Sequence, residues 1–485
     1  MKLLQASIRT GGVIILAMSS ITVSAADKPD ALTFPQALQQ VIDTYPTLDI
    51  ARLQVEQARQ DMLKVESSLG WQLAAQGGLN HDVSTFGIPS DTADAFAGLN
   101  RTLRSGESLG LSGSYRYEDS TTTISPLLPN PSESVNLDLN YRMPFGQGRN
   151  NPQYVQGRVT AEATVLLQQA NELSIREQLA NQSRDVFYSA ASVRAQLATA
   201  QSAVDRARRL LRYVNERFEL GLAEEKDILQ SDAQLQSRLS DLRALQVAWE
   251  QQRTTLNRLM GRPWDAEFMP MLDTAPLMKP SSEPKPTLVK EAEAHSPGLL
   301  GNQARVIQNE ADLQIRRDTR KDKVDVVLSV GGRATSGDNV AGSIDESDVA
   351  GGVRLEYQRA LDKRGLDAGI YQAQLNLQIA REDERKLRED LHYSVVGLLS
   401  EVEANQLSLK AHERRVISEE KKVDEAIERY RVGREATDRL IQFENEMQIA
   451  RLALDQERIA LERRLTNLSI LLGRIWQSIE YDKGL

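Results

Sequence analysis

Two periodicities divide this chain. The run Val135-Asn136-Leu137-Asp138-Leu139-Asn140-Tyr141-Arg142-Met143 alternates apolar and polar residues without an error, and Leu109 to Tyr117 does the same if its small residues are counted as neutral. Weaker alternation runs from Trp71 to Val83, near Ala95 to Leu103, and at Val326–Val330 and Val353–Tyr357. Period two predicts strands with one apolar and one polar face, six at most. The second periodicity is helical. From Gly157 to about Phe218, and again from Gly369 to about Tyr430, proline is absent and Ala, Leu, Gln, Glu and Arg dominate. The seam positions step by four and three: Ala161, Val165, Gln168, Glu172, Ile175, Leu179, Gln182 and Val186 in one stretch, and Ala373, Leu377, Ala380, Glu384, Leu387, Leu391, Ser394 and Leu398 in the other. Two seam positions in seven predict coiled-coil packing. Some sixty residues at about 1.5 Å each make a rod of roughly 90 Å.

These stretches are copies of one another. Gly157 to Arg262 lies over Gly369 to Arg474 at a constant offset of 212 residues, with Arg176-Glu177 on Arg388-Glu389, Glu216-Arg217 on Glu428-Arg429, Gly221 on Gly433, and Gly261-Arg262 on Gly473-Arg474. A repeat of that size is a duplicated structural unit rather than a short solenoid module. Each long helix is expected to stop at its glycine, Gly221 or Gly433, where a left-handed residue is readily accommodated. The helical pattern resumes at once, so each copy predicts an antiparallel hairpin with a tight tip, and Thr437-Asp438 is expected to supply an N-cap and an acidic first turn. Shorter helical stretches, Phe34 to Ser68 and Thr287 to Asp322, precede the strands and are punctuated at Pro46 and Pro297.

Alternation alone also fits a soluble sheet with one wet face. The helices, however, spend their narrow seams on one another, which leaves nothing to cover the apolar sides of the strands. With a short turn at Arg104–Glu107 and longer polar loops at Phe86–Asp94 and Asp119–Glu133, the strands match an outer-membrane barrel. Six strands fall short of the about eight with which closed barrels begin, so several chains must share one barrel. The N-terminus supports export: Lys2 and Arg9, an apolar run from Gly11 to Met18, and Val23-Ser24-Ala25 form the layout of a cleaved signal peptide over residues 1–25. The rest divides into a first repeat (26–262), a proline-rich linker (263–286), a second repeat (287–474) and a short tail (475–485). A net charge of -9 argues against nucleic-acid binding, and the absence of cysteine excludes disulfides, thiolate metal sites and a lipid on an N-terminal cysteine.

Over essentially its whole mature length the chain resembles the TolC family of outer-membrane efflux channels, in its non-lipidated branch. The resemblance rests on the paired tips Arg217–Leu229 and Arg429–Ile441, on the strand exit Met143-Pro144-Phe145-Gly146-Gln147-Gly148-Arg149, and on the helix-ending Leu259-Met260-Gly261-Arg262 and Leu471-Leu472-Gly473-Arg474. It implies an internally duplicated α+β membrane protein. Three copies would share a transmembrane β-barrel continuous with a long α-helical barrel across the periplasm of a Gram-negative cell. The partners it implies are a periplasmic adaptor and an inner-membrane pump. The family norm of four barrel strands per chain would give twelve, whereas all six here would give eighteen. The family's periplasmic gate falls on Asp227 and Tyr430, with Arg431 and Arg434 nearby. Glu435 stands where relatives carry a basic residue. Arg439 and Gln442 stand where the best-known member has acidic ones, with Asp438 adjacent. The adaptor-docking motif falls on Leu220-Gly221-Leu222 and Val432-Gly433-Arg434.

Enzymatic chemistry finds no constellation. The four histidines, His81, His295, His392 and His412, sit in different elements, and His412-Glu413-Arg414-Arg415-Val416 has valine where a zinc-protease motif needs its second histidine. No cofactor or metal is expected. Two readings stand at this stage: a passive export duct of a tripartite efflux or type I secretion system, and a structural periplasmic coiled-coil protein carrying a small soluble sheet.

Overall fold

The structure, a computed structural model, describes residues 30–83, 89–121, 127–272, 283–432 and 434–482. The predicted leader, the middle of the proline-rich linker and Gly433 lie outside the described residues. The first half runs β1 (Asp30–Leu32), α1 (Phe34–Thr44), α2 (Pro46–Ser67), β2 (Gln72–Val83), β3 (Pro89–Thr102), β4 (Ser108–Ser120), β5 (Ser132–Pro144), α3 (Pro152–Glu219), α4 (Glu225–Leu259) and β6 (Phe268–Pro270). The second runs α5 (Lys285–His295), α6 (Pro297–Thr319), β7 (Lys323–Asn339), β8 (Gly342–Gln358), α7 (Arg364–Arg431), α8 (Thr437–Leu471) and α9 (Arg474–Asp482).

All six alternating segments join one antiparallel sheet in the order β2-β3-β4-β5-β7-β8, leaving β2 and β8 as free edges. The register keeps one face apolar from edge to edge. A single row reads Leu73, Leu99, Leu111, Leu139, Val330, Gly351, and three rows nearer the far end the opposite face reads Gln76, Phe96, Ser114, Asn136, Arg333, Asp348. No described element covers the apolar face: Leu79 is 85 % exposed and Val349 83 %. On the polar face Arg142 reaches both Asp325 (3.0 Å) and Glu356 (3.3 Å), tying three strands together close to the helices.

The helices form a layer four helices wide on either side of a central core. Towards the sheet, α3 packs on α2 and α6, and α6 on α7; away from it, α3 packs on α4 and α8, and α7 on α8. The core between them gathers Leu38 and Val41 of α1, Phe187 and Tyr188 of α3, Trp249 and Leu256 of α4, Phe268 of β6 and Ile475 of α9, with Phe34 and Phe187 edge to face at 5.8 Å. A matching cluster joins Leu288 and Ala292 of α5 to Val395, Leu399 and Leu468. Among the described residues, no helix is long and apolar enough to cross a membrane.

Several expectations need correction. The residues 475–485 are not merely a tail, because α9 buries Ile475 and Ile479 in the central core. The linker is not wholly irregular, since Phe268–Pro270 pairs in parallel with Asp30–Leu32; a three-residue bridge carries no periodicity to read. The long helices start about five residues before the glycines, at Pro152 and Arg364. Proline is tolerated at the first helical position, where its missing N–H has no intrahelical partner. The loop expected over 86–94 gives way to β3 from Pro89. The seam prediction holds for α7 as far as Leu391, where Ala373, Leu377, Ala380, Glu384, Leu387 and Leu391 are the shielded positions of an otherwise exposed stretch; beyond it Ser394 is exposed, and Val395 and Leu399 are buried against α5 in place of Ser394 and Leu398. It fails for α3, where Gln182 is exposed and Ala163, Ala170, Ala180, Ser183, Phe187 and Ala190 are buried, because neighbours wrap this helix on several sides.

Candidate functional site

The two helical tips lie side by side at the end of the molecule farthest from the sheet. In the first, Gly221 takes φ +70° and Leu222 N–H bonds to the Arg217 carbonyl (2.8 Å), the six-to-one closure of a left-handed helix end. The second tip carries the equivalent bond, Arg434 N–H on the Arg429 carbonyl (2.9 Å). Leu220, Leu222 and Val432 project into solvent, being 72 %, 62 % and 67 % exposed. So large an apolar exposure at a loop tip has no use within the chain itself.

The predicted gate residues do not bond to one another within one chain. Asp227 caps its own helix, accepting from the Glu224 N–H (3.0 Å). Tyr430 is buried, with its hydroxyl on Thr437 (2.9 Å) and its ring 5.6 Å from that of Tyr213. Thr437 therefore is not the N-cap: Ala436 occupies that position without a side-chain bond, and the threonine hydroxyl is spent on Tyr430. Arg431 pairs with Glu428 (2.8 Å), Glu435 lies 3.9 Å from Arg439, and the Arg434 side chain is exposed. Asp438 sits in the acidic first turn of α8. Its field reaches Lys226 of the other tip, which holds its proton more firmly than an ordinary lysine, chiefly through its hydrogen bond to Glu224 and further through the charges of Glu224, Asp227 and Asp438.

Sequence reasoning missed the residue that joins the tips. Arg217 donates to the Tyr430 carbonyl (2.9 Å) and to the Leu222 carbonyl of its own turn (3.1 Å), while its guanidinium lies 4.8 Å from the centre of the Tyr430 ring. One cation thus holds both hairpins through two carbonyls and an aromatic face. The only signal available was its place in the duplicated Glu-Arg pair, whose second copy, Arg429, is 3.9 Å from Glu425 and largely exposed.

Above the tips, α3, α4 and α8 meet through charge. Glu444 is pushed above the ordinary glutamate range by burial, against the opposing pull of Arg206, Arg209 and Arg238. Burial in turn lowers Arg206, and Arg238 donates to Asn445. Such a polar belt in a helical interface fixes register at some expense in stability. At the far end of the sheet, Leu128 to Asn130 overlie a recess of the polar face lined by Asp94, Arg116, Glu118 and Arg333. Asn130 anchors this loop to both the N–H and the carbonyl of Ser120 (2.8 and 2.5 Å). No group of His, Asp and Glu among the described residues could hold a metal ion.

An edge-exposed sheet with one apolar face, rooted in duplicated helical hairpins, is the fold of the TolC-type outer-membrane channels. The outer membrane protein VceC from Vibrio cholerae superimposes with a TM-score of 0.64 at 15% identity, over 91% of this chain and 95% of VceC. The Campylobacter jejuni CmeC outer membrane channel gives 0.64 at 12% identity, over 93% and 89%. The open state of the Neisseria gonorrhoeae MtrE outer membrane channel gives 0.57 at 16%, over 91% and 88%. No family model matches the chain, and no curated protein matches it in sequence.

Proposed function

We propose that this chain is one protomer of a passive export duct in the outer membrane of a Gram-negative cell, working as a homotrimer in a tripartite efflux or type I secretion system. The observation that carries the reading is the six-stranded sheet, whose apolar face is uncovered and whose two edges are unpaired. In lipid an unpaired sheet edge is untenable, so the edges must meet those of other copies and close a barrel. The apolar face carries Tyr141 and Tyr357 near the helices and Tyr115 and Tyr117 near the far end. On β5, Tyr141 and the level of Tyr117 are eight residues apart, about 26 Å along the strand and about 20 Å across the membrane at a tilt of about 40°, with Tyr357 closer still to the helices, which suits a lipid-facing band flanked by aromatic girdles. The polar face then lines a wet lumen, with outer-membrane lipid outside.

The helical hairpins extend the duct through the periplasm, and the tips face an adaptor and inner-membrane pump that supply selection and energy. Leu220-Gly221-Leu222 and Val432-Gly433-Arg434 are the adaptor-docking surfaces. Their apolar side chains are exposed where a partner is expected. The gate comprises Asp227, Tyr430, Arg431, Arg434, Glu435 and Asp438, joined by Arg217. An exposed ion pair contributes only about 0–1 kcal/mol, but threefold symmetry repeats each contact around one axis. Resting single-channel conductance in planar bilayers is therefore small, and combining Arg217→Ala, Tyr430→Phe and Asp227→Ala raises it severalfold with trimer yield unchanged. Unchanged conductance in that variant moves the gate elsewhere. A protein that fractionates away from outer membranes and never conducts overturns the duct.

A further inference from the structure

The two halves of the chain differ by one β-hairpin. The offset that superimposes α3 on α7 also carries Ser132–Pro144 onto residues 344–356, inside β8, and most of β4 onto β7. The pair β4–β5 is therefore the counterpart of β7–β8. The hairpin β2–β3 has no counterpart: 84 residues separate α2 from α3, but only 44 separate α6 from α7. This hairpin is not an appendage. Pairing of β3 with β4 runs unbroken from Ser90↔Ser120 to Thr102↔Ser108, and β2 is paired with β3 along its whole length. Both strands carry the apolar side of the sheet outward through Leu73, Leu79 and Leu99.

We propose that the added hairpin is part of the barrel wall, so that β8 of each chain pairs with β2 of the next and three chains close eighteen strands rather than twelve. The inference rests on the duct reading and goes beyond it. Direction permits the seam: β2 leaves α2 and runs away from the helices, β8 returns towards α7, and an even number of strands per chain keeps every neighbour antiparallel. Chemistry permits it too, because Val349, Val353 and Leu355 on β8 continue the apolar face that Leu73 and Leu79 begin on β2. At about 4.8 Å between strands and a tilt of about 40°, eighteen strands enclose about 36 Å between backbones, against about 24 Å for twelve. Twelve helices spaced about 9 Å apart form a ring of about 34 Å, so the wide barrel continues the helical cylinder at one bore. Side-chain layers leave a lumen of roughly 25 Å, some two helices across, wide enough to pass a helical polypeptide as well as small solutes.

The chain has no cysteine, so paired cysteines report the seam without background. Within one chain β2 and β8 stand five strand spacings apart, about 24 Å, and β4 and β8 three spacings, about 14 Å; a short bifunctional thiol reagent spans neither. Full-length variants carrying Gly352→Cys or Ala350→Cys with Gly78→Cys or Asn80→Cys should yield covalent dimers and trimers in outer membranes. The same β8 variants combined with Ser112→Cys or Ser114→Cys on β4 should yield none. Crosslinks of β8 to β4 in place of β2 overturn the inference and leave a twelve-stranded duct. Trimers that crosslink from neither set overturn the seam, and a protein without trimers overturns the duct reading itself.

Discussion

The duplicated halves start from nearly one pattern and end in different surroundings. Helix α3 lies inside the layer, flanked by α2 and α6 towards the sheet and by α4 and α8 beyond it, and it buries residues all round. Helix α7 lies at the edge and shields little more than its seam. Equivalent residues follow that division. Gly146 is pinned where the chain enters β7, whereas its counterpart Gln358 ends a free edge strand. Arg217 binds across the tips and Arg429 does not. Glu444 is desolvated among arginines, while its counterpart Asp232 is exposed. Duplication supplies the scaffold, and the chemistry comes from the positions where the copies stopped being equivalent.

The largest effect expected is at Gly146. A Cβ there would sit 2.1 Å from the Asp322 carbonyl oxygen, so Gly146→Val should destabilise the sheet–helix junction by more than about 3 kcal/mol, whereas Gln358→Val should cost less than about 1 kcal/mol. Heat-induced loss of the trimer on gels compares the two, and equal losses would break the asymmetry. Next is Arg217→Ala. It removes two charge-assisted bonds and should loosen the tips by about 1.5–3 kcal/mol, while Arg429→Ala should stay within about 0.5 kcal/mol; amide exchange at Tyr430 to Leu440 reads the difference. Tyr430→Phe deletes the bond to Thr437 but keeps the ring on Tyr213, so about 0.5–1.5 kcal/mol should be lost at the second tip. At the equivalent exposed position, Phe218→Tyr should be silent in the same exchange experiment.

The smallest effect is a slope. Glu444 binds its proton more tightly folded than unfolded, so it favours the packed belt most fully below the ordinary glutamate range. That contribution is lost as the pH rises through its elevated folded pKa. Stability of the helical section should therefore gain on acidification across that window, and Glu444→Gln should flatten the gain. Asp232→Asn should leave the slope as in the parent; a parent slope surviving in Glu444→Gln would assign it to other groups.

Much of this was legible in the sequence because two periods were. Alternation located all six strands, and Ala, Leu and charge at helical spacing located the hairpins. What could not be read follows from the same physics. The far end of β3 carries Asp91 and Asp94 on opposite faces, which erases alternation, and β7 was seen only over Val326–Val330 because Gly331, Gly332 and Gly337 interrupt the pattern beyond. Helix α9 is short, and its apolar side gains meaning only beside the central core. At the tips, residue types located Tyr430 and Asp227, but not the partners they chose. Thr437 took the tyrosine hydroxyl, the Glu224 N–H took the aspartate, and Arg217 made the crossing.

The central claim is that three copies of this chain form one continuous duct whose wall includes every long strand. A three-dimensional density map of the protein in lipid nanodiscs tests it most directly. The account predicts threefold symmetry, eighteen strands about 36 Å across between backbones, and six helical tips converging at the opposite end. A single chain whose apolar sheet is capped by some other element, or a wall of twelve strands with β2–β3 folded aside, would contradict it.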